Sequence, residues 1–246
     1  MEIMEPFQNN EGSTFIQHLK RGIAELEKDL DNSILVLSGF VWDLLMGSVY
    51  LTLLTPLTLS SGPTKPQTPK SEAHSYHELA IHRNLITPAT SRLILVEPSA
   101  LDSYENILYS LIRSYQYTSH WPTHVTVISH AFKERRFADV HMSAMRWPRE
   151  RFTYVGIDPE GKSPEELQKG ERMAYEMWKA NPYAGGVGKL GWKRTNWGRW
   201  KEMRNPWRVE APYVVTCPEL EPFIQWAGGE DGKTLFPGPL PWDVLA

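Results

Sequence analysis

The 246-residue chain contains almost no cysteine, and its charges nearly balance. Cys217 is the only cysteine, which excludes an intramolecular disulfide and a cysteine-rich zinc site. A single thiol fits a reducing compartment, and we expect a cytoplasmic protein. The formal net charge of −3 provides no overall attraction to nucleic acid, so we expect no DNA partner.

Several sequence patterns of familiar enzymes are also missing. The Gly-x-Ser-x-Gly elbow of serine hydrolases and the His-Glu-x-x-His helix of zinc proteases are absent. The Gly-Pro-Thr-Lys turn at 62–65 lacks the spacing of a P-loop. The first residues lack the basic, apolar and small-residue regions of a secretory signal peptide. The sequence therefore predicts no metal site and leaves the cofactor unknown.

Apolar segments of strand length alternate with amphipathic segments of helical period. Strands are predicted at 33–38, 92–97, 123–129 and 152–157, and helices at 13–28, 71–86, 103–115, 132–145 and 163–180. This alternation predicts an α/β fold with a mainly parallel sheet. A helix precedes the first predicted strand, so we expect that the first strand of the natural fold is missing from this chain.

The chain divides into two parts by composition. Residues 1–180 are predicted to form the α/β domain. Residues 181–246 form an extension that is rich first in tryptophan and basic side chains and then in proline and glycine. We expect the extension to pack on the surface of the domain.

Residues 40–61 form an almost wholly apolar segment that does not fit the alternation. Their length is close to that of a membrane-spanning helix, but Asp43, Pro56 and the polar helices on either side count against a span. A buried helical extension is a second alternative. We favour a third, an insertion such as translated intervening sequence, because its removal would join Gly39 to Gly62 in a short glycine turn.

Polar side chains are concentrated just after the predicted strands. Ligands bind at the carboxyl ends of strands in an open parallel sheet, because the loops converge there and helix N-termini point amides into the crevice. We therefore predict one pocket for an anionic small molecule. The catalytic candidates are Glu72, Glu97 and His130. The ligand-binding candidates are Gly62, Thr64, Lys65, Ser71, Ser103, Asn106, Ser129, Lys133 and Arg136.

The turn before the second helix has two interpretations. Its sequence Gly-Pro-Thr-Lys either holds an anion through backbone amides and Lys65 or is only a tight turn. Ser71 and Glu72 either belong to the site or only cap the helix and complement its dipole. Similar chemistry at the two following turns favours the site.

The turn after the second predicted strand also allows alternatives. Glu97 could accept a hydrogen bond from a ribose hydroxyl, bind a metal or act as a general base, or it could form a salt bridge with Arg136. Asp102 or Ser103 is expected to cap the next helix. Asn106 lies one turn inside that helix, where its amide could both donate to and accept from a ligand.

Ser129 and His130 follow the third predicted strand, and a basic helix begins there. Lys133 and Arg136 are three residues apart, so they share a helix face and could clamp a phosphate or carboxylate. His130 would then act as acid or base. His141, further along the same helix, is expected to be structural.

Tryptophan alternates with basic residues between 189 and 208. Such alternation can bind single-stranded nucleic acid through phosphates and base stacking. We favour a surface arm that packs its tryptophans on the core. In a third alternative, Lys193 and Arg194 fold back over the pocket.

The order of these motifs resembles the DUF218 (YdcF-like) family, specifically its fungal branch. The matching residues are 5–8, 38–39 joined to 62–65, 71–73, 97–98, 102–106, 127–137, 141, 154–159, 193–194 and 204–206. The resemblance implies a Rossmann-like three-layer fold with polar residues of a proposed active site at the strand ends. Bacterial members commonly carry histidine where Lys133 stands, which argues against general-base chemistry at that position.

The sequence therefore predicts a DUF218-type protein that binds an anionic or nucleotide-type small molecule, as a transferase or a hydrolase of small molecules. The alternative is a non-catalytic module that senses a ligand or binds single-stranded nucleic acid through the tryptophan-rich arm. We expect no membrane partner despite the apolar segment 40–61.

Overall fold

The computed structural model describes residues 11–40, 48–54, 59–60, 63–65, 68–186, 188–192, 194 and 217–244. Side chains are described for 12–38, 73–186, 188–192, 194 and 217–244. Within these ranges the chain has a mixed α/β fold.

Apart from four added strands between residues 48 and 71 and an irregular helical segment at 131–144, strands and helices follow each other in the predicted alternation. Most of their boundaries lie within three residues of those expected. The strands are β1 Ile34–Phe40, β2 Ser48–Leu54, β3 Leu59–Ser60, β4 Pro63–Lys65, β5 Thr68–Ser71, β6 Ile94–Glu97, β7 Val125–Ser129 and β8 Phe152–Gly156. The helices are α1 Glu11–Leu26, α2 Glu72–His82, α3 Ser103–Thr118, α4 Met142–Ala144, α5 Pro164–Ala180 and α6 Glu221–Ile224.

The main sheet has the strand order β3-β6-β1-β2-β7-β8. β1 pairs in parallel with β6, and β7 pairs in parallel with β8. β2 is antiparallel to both of its neighbours, β1 and β7. Because two reversals restore the direction, β1, β6, β7 and β8 all run the same way. The sheet is therefore mixed, and β2 runs against these four strands.

The described part of the apolar segment adds strands to the sheet. Residues 48–54 form β2, which pairs along its whole length with β1 and lies between β1 and β7. A seven-residue run rich in leucine and β-branched side chains suits a strand with neighbours on both sides. These residues form a strand and not the buried helix that was one of the alternatives. No helix among the described residues has both the length and the apolarity to cross a bilayer.

Helices pack on both faces of the sheet. Val127 belongs to a core cluster that includes α3 residues such as Leu111, whereas Ile128 belongs to a second cluster with α1 residues such as Leu19. Successive strand residues point to opposite faces, so the two clusters lie on opposite sides of the sheet. We call them the α3-side core and the α1-side core.

The segment after β7 is less regular than the single helix predicted at 132–145. A 3-10 turn covers Ala131–Lys133, a π-helix covers Arg136–His141, and α4 follows directly. A π-helix is rare and is frequently found near functional sites. Because its repeat is wider than that of an α-helix, it changes which side chains of this segment reach α3.

The described C-terminal residues pack on the domain. Phe223, Phe236 and Trp242 are buried in the α3-side core. The indole of Trp242 donates a hydrogen bond to the carbonyl of Met145 at 2.7 Å. A capping box begins α5, with Ser163 and Glu166 bonded reciprocally.

Candidate functional site at the carboxyl ends of the strands

The carboxyl ends of the parallel strands lie along one edge of the sheet. β6 ends at Glu97, and β7 and β8 end level with each other, since Ser129 pairs with Gly156. The loops at 98–102, 130–135 and 157–163 therefore leave the sheet at the same edge. Asn106 and Lys133 follow two of these strands, as predicted.

Glu97 shapes the loop between β6 and α3. Its side chain is fully buried, and its two carboxylate oxygens accept hydrogen bonds from the backbone amides of Ser99 and Ala100 at 2.6 and 3.2 Å. Backbone amides are good partners for a buried carboxylate because they satisfy its charge without a counterion. Arg136, the cation expected to pair with Glu97, forms a salt bridge with Glu171.

Asp102 caps α3, as expected, by accepting from the amides of Tyr104 and Glu105 at 3.1 and 3.0 Å. Arg194 binds the same carboxylate, with its Nε 2.7 Å from Oδ2, and also lies 3.1 Å from Glu105. Burial alone would lower the pKa of Arg194, but the carboxylates of Asp102 and Glu105 raise it. Arg194 therefore folds back onto this helix start as a fixed cation.

The side chain of Asn106, one of the ligand-binding candidates, has no hydrogen bond among the described residues. It is fully buried in the first turn of α3, and both its Oδ1 and its Nδ2 are without a partner. Leaving a buried polar group unsatisfied costs about 1–3 kcal/mol. Such groups are rare in folded proteins and indicate an absent ligand or a bound water.

Ser103 and Arg136 belong to a buried polar network instead of an open site. Arg136 lies 2.9 Å from Glu171 through Nε and donates to its second oxygen through Nη2 at 3.0 Å. Its Nη1 lies 3.5 Å from the Ser103 hydroxyl, which bonds to Nε2 of His141 at 2.8 Å. The guanidinium that was predicted to clamp an anion is thus held by a carboxylate of α5.

His141 packs inside the protein core, as expected for a structural residue. Its ring is fully buried between the rings of Tyr104, Phe137 and Trp178, with centroid distances of 6.0, 5.3 and 4.6 Å. Burial, followed by the charge of Arg136, holds its pKa well below the usual histidine value. A neutral His141 therefore shares the hydrogen bond with Ser103.

His130 and Lys133 lie in the loop after β7, and both are buried. The His130 ring stacks on Phe132 at 5.1 Å, and the Lys133 ammonium lies 5.2 Å from the centre of the same ring. Burial, followed by the charge of Lys133, lowers the pKa of His130 well below its usual value. His130 is therefore neutral at pH 7 and able to accept a proton.

Gly156 allows this loop to come close to β8. A Cβ at Gly156 would lie 2.4 Å from the Cα of Ala131, which no side chain could tolerate. The hydroxyl of Tyr154 donates to the carbonyl of His130 at 2.6 Å and fixes the loop from the same strand. The sequence therefore encodes the position of His130 partly through residues of β8.

His18 in α1 is a further residue of this region that the sequence reasoning missed. Its Nε2 bonds to the carbonyl of Ile157 at 2.9 Å, and its ring lies 5.0 Å from that of His130. Burial, opposed by the Ile157 bond and reinforced by Lys133, lowers its pKa to about 4. The available signal was a histidine on the apolar face of α1, next to Leu19.

Several predicted site residues lie outside what the structure describes. Gly62 falls outside the described residues altogether. For Thr64, Lys65, Ser71 and Glu72 only the backbone is described, in β4, β5 and the start of α2. Ser129 is fully buried at the end of β7, and its carbonyl accepts from the amide of Ile157 at 2.8 Å. The meeting of Glu72 with Asn106 and Lys133 stays a prediction.

The part of the chain with described side chains contains no group of three or more His, Cys, Asp or Glu residues arranged to bind a metal. Most of the tryptophan-rich arm, including Lys193, Trp197, Trp200 and Trp207, lies outside the described residues. Trp192 is described and is 60% exposed.

The chain is similar to the uncharacterized protein YOR238W of Saccharomyces cerevisiae, with 30% identity over 155 residues. The aligned region covers 58% of this chain and 48% of the yeast protein, so the chain spans about half the length of this curated relative. No protein-family model matches the chain. No solved structure matches it either. The comparisons thus name no activity, and the resemblance to the DUF218 family stays a prediction.

Proposed function

We propose that this protein has a Rossmann-like three-layer fold of the DUF218 type and binds an anionic or nucleotide-type small molecule at the carboxyl ends of β6, β7 and β8. A cytoplasmic location belongs to the same proposal. The observation that carries it is the buried amide of Asn106, whose donor and acceptor both lack a partner among the described residues. A ligand at this edge would satisfy both.

The charges along the edge suit a ligand with two different ends. At the β7 end, Lys133 and Lys162 place positive charge near His130, which supports binding of a phosphate or carboxylate. At the β6 end, the amide of Asn106 offers both an acceptor and a donor, which suit hydroxyl or amide groups. A sugar phosphate or a nucleotide carries both kinds of group.

A neutral His130 beside a bound anion would supply acid-base chemistry. Burial and the charge of Lys133 keep His130 neutral with its lone pair unprotonated, but they also make it a weak base. An anion bound beside Lys133 would offset that charge and raise the pKa of His130 toward the range of a general base. This chemistry supports a transferase or a hydrolase of small molecules. The non-catalytic alternative keeps the same binding residues and assigns His130 a binding role only.

Binding of single-stranded nucleic acid by the tryptophan-rich arm has less support. Arg194, the described basic residue in the middle of the arm, is bound to Asp102 and Glu105. A guanidinium held by two carboxylates is a poor phosphate ligand. Exposed Trp192 alone does not distinguish a stacking platform from an ordinary surface residue.

Replacement of Asn106 by leucine tests the proposal. Leucine has a similar volume and no polar atoms, so the ligand-free protein should be as stable as the parent or gain about 1–3 kcal/mol. In a thermal-shift panel of AMP, ribose 5-phosphate and S-adenosylmethionine, a ligand at a hundred times its Kd stabilises the parent by about 2.7 kcal/mol. The Asn106→Leu variant should lose that stabilisation.

Ser114→Ala provides a matched control. Ser114 is also fully buried on α3 with an unpartnered hydroxyl, but it lies two turns, or about 12 Å, further from the strand ends. This variant should bind the ligand as the parent does. Equal ligand shifts in the parent and in Asn106→Leu, or no shift of the parent with any compound, would reject the proposed site.

A further inference from the structure

The protonation of His18 is fixed by its surroundings. Its Nε2 lies 2.9 Å from the carbonyl oxygen of Ile157. A carbonyl can only accept, so Nε2 carries the hydrogen and Nδ1 carries the lone pair. The bond also holds the ring against the residue that directly follows β8.

The lone pair of His18 has no donor within the described structure. The residue is fully buried, and its Nδ1 has no hydrogen-bond partner there. Both ring nitrogens of neighbouring His130 are likewise without a hydrogen bond of good geometry. The rings of Phe15 and Phe132 lie 6.2 and 5.1 Å from that of His130, and they offer no hydrogen bonds. Three buried imidazole nitrogens therefore lie close together without a hydrogen bond of good geometry. Their polar neighbours are the Lys133 ammonium and the backbone carbonyls of Ser129 and Ile157.

An imidazole lone pair can bind a metal cation or accept a hydrogen bond from a hydroxyl group. The positive charge of this region favours the hydroxyl group. A metal cation would meet the positive charge of buried Lys133, which acts on both His18 and His130. A neutral hydroxyl group meets no such repulsion. An anionic group on the same ligand is attracted to the Lys133 ammonium. Two imidazoles beside a buried ammonium thus suit a hydroxylated anion better than a metal.

We infer that His18 is a specificity-determining residue of the strand-end site, accepting through Nδ1 a hydrogen bond from a ligand hydroxyl whose attached phosphate lies toward Lys133. The ligand class is then a sugar phosphate rather than a simple phosphate. This inference rests on the proposed function and adds to it a residue of α1.

The test compares ribose 5-phosphate with inorganic phosphate by calorimetry on the full chain. In His18→Gln the amide nitrogen of glutamine reaches the Nε2 position and keeps the bond to Ile157, while the Nδ1 acceptor is lost. We expect ribose 5-phosphate to bind at least tenfold more weakly than to the parent, and inorganic phosphate to bind within about twofold. His124→Gln, at the amino end of β7, is the control and should bind both as the parent does.

The outcomes separate the inference from the function on which it rests. Equal binding of ribose 5-phosphate to the parent and His18→Gln, or an equal loss of both ligands, overturns the role of His18. Failure of the parent to bind either ligand rejects the proposed function as well. A second measurement needs no variant: the Nδ1 nitrogen resonance of His18 should shift with ribose 5-phosphate and stay in place with inorganic phosphate. A Nδ1 resonance that responds to neither compound, or to both alike, also overturns the inference.

Discussion

Replacing Arg136 by methionine should destabilise the protein by about 3–5 kcal/mol. The guanidinium and the carboxylate of Glu171 are both buried, with 6% and 7% of their side chains exposed. Methionine is similar in length and fills the space, but it leaves the Glu171 carboxylate buried without its cation. Most of the lost free energy of unfolding comes from the buried, unpaired Glu171 carboxylate. The lost attraction between the two charges contributes less.

The double variant Arg136→Met with Glu171→Leu should recover most of that stability. When both charges are removed no buried ion remains, and apolar replacements of buried ion pairs are often neutral or stabilising. Arg21→Met provides the surface control, because Arg21 is 44% exposed in its pair with Glu25 and should contribute less than about 1 kcal/mol. Urea unfolding measures all four proteins. A single Arg136 variant no less stable than the Arg21 variant would contradict this account.

Stability should fall steeply as the pH drops from about 6.5 to 4. The pKa of His18 is lowered from 6.5 to about 4 in the folded protein. Between these values the unfolded chain binds a proton that the folded chain does not, so stability is complete above 6.5 and is lost as the pH falls. The difference corresponds to about 3 kcal/mol for this residue. His130 and His141 act in the same direction, because burial lowers the pKa of each.

Two variants identify the groups responsible for the acid sensitivity. His18→Gln cannot titrate, so its stability should change less than that of the parent between pH 6.5 and 4.5. Lys133→Met removes the positive charge that acts on both His18 and His130, and should raise both pKa values in an NMR titration. If the pKa of His18 in the parent lies near 6.5, the inferred burial of this ring is wrong.

The sequence predicted the elements better than their pairing. Alternating apolar and amphipathic segments located β1, β6, β7 and β8, because hydrophobic period is a local property. The strand at 48–54 was not predicted, since a short apolar run fits a buried helix as well as a buried strand. Its antiparallel place between β1 and β7 depends on pairing over more than 70 residues of sequence, which no local pattern contains.

The sequence identified several important polar residues, but it did not predict which residues they contact. Asp102 caps its helix as predicted, because a cap needs only local sequence. Arg136 and Glu171 are 35 residues apart, and only the tertiary structure brings them together. The π-helix turns Arg136 and His141 toward Ser103, whereas helical spacing alone placed Arg136 beside Lys133. His18 was not predicted as a site residue, because it lies on the apolar face of α1. The helical period alone explains why that face is buried.

The central claim is that the loops after β6 and β7 contribute to one ligand site. The most direct measurement is a titration of AMP into the isotopically labelled full chain, with backbone amide resonances followed by NMR. The account predicts that amides of residues 99–106 and of residues 130–133 shift together and saturate with the same Kd. Shifts confined to one of the two loops, or different dissociation constants for the two, would contradict a common site.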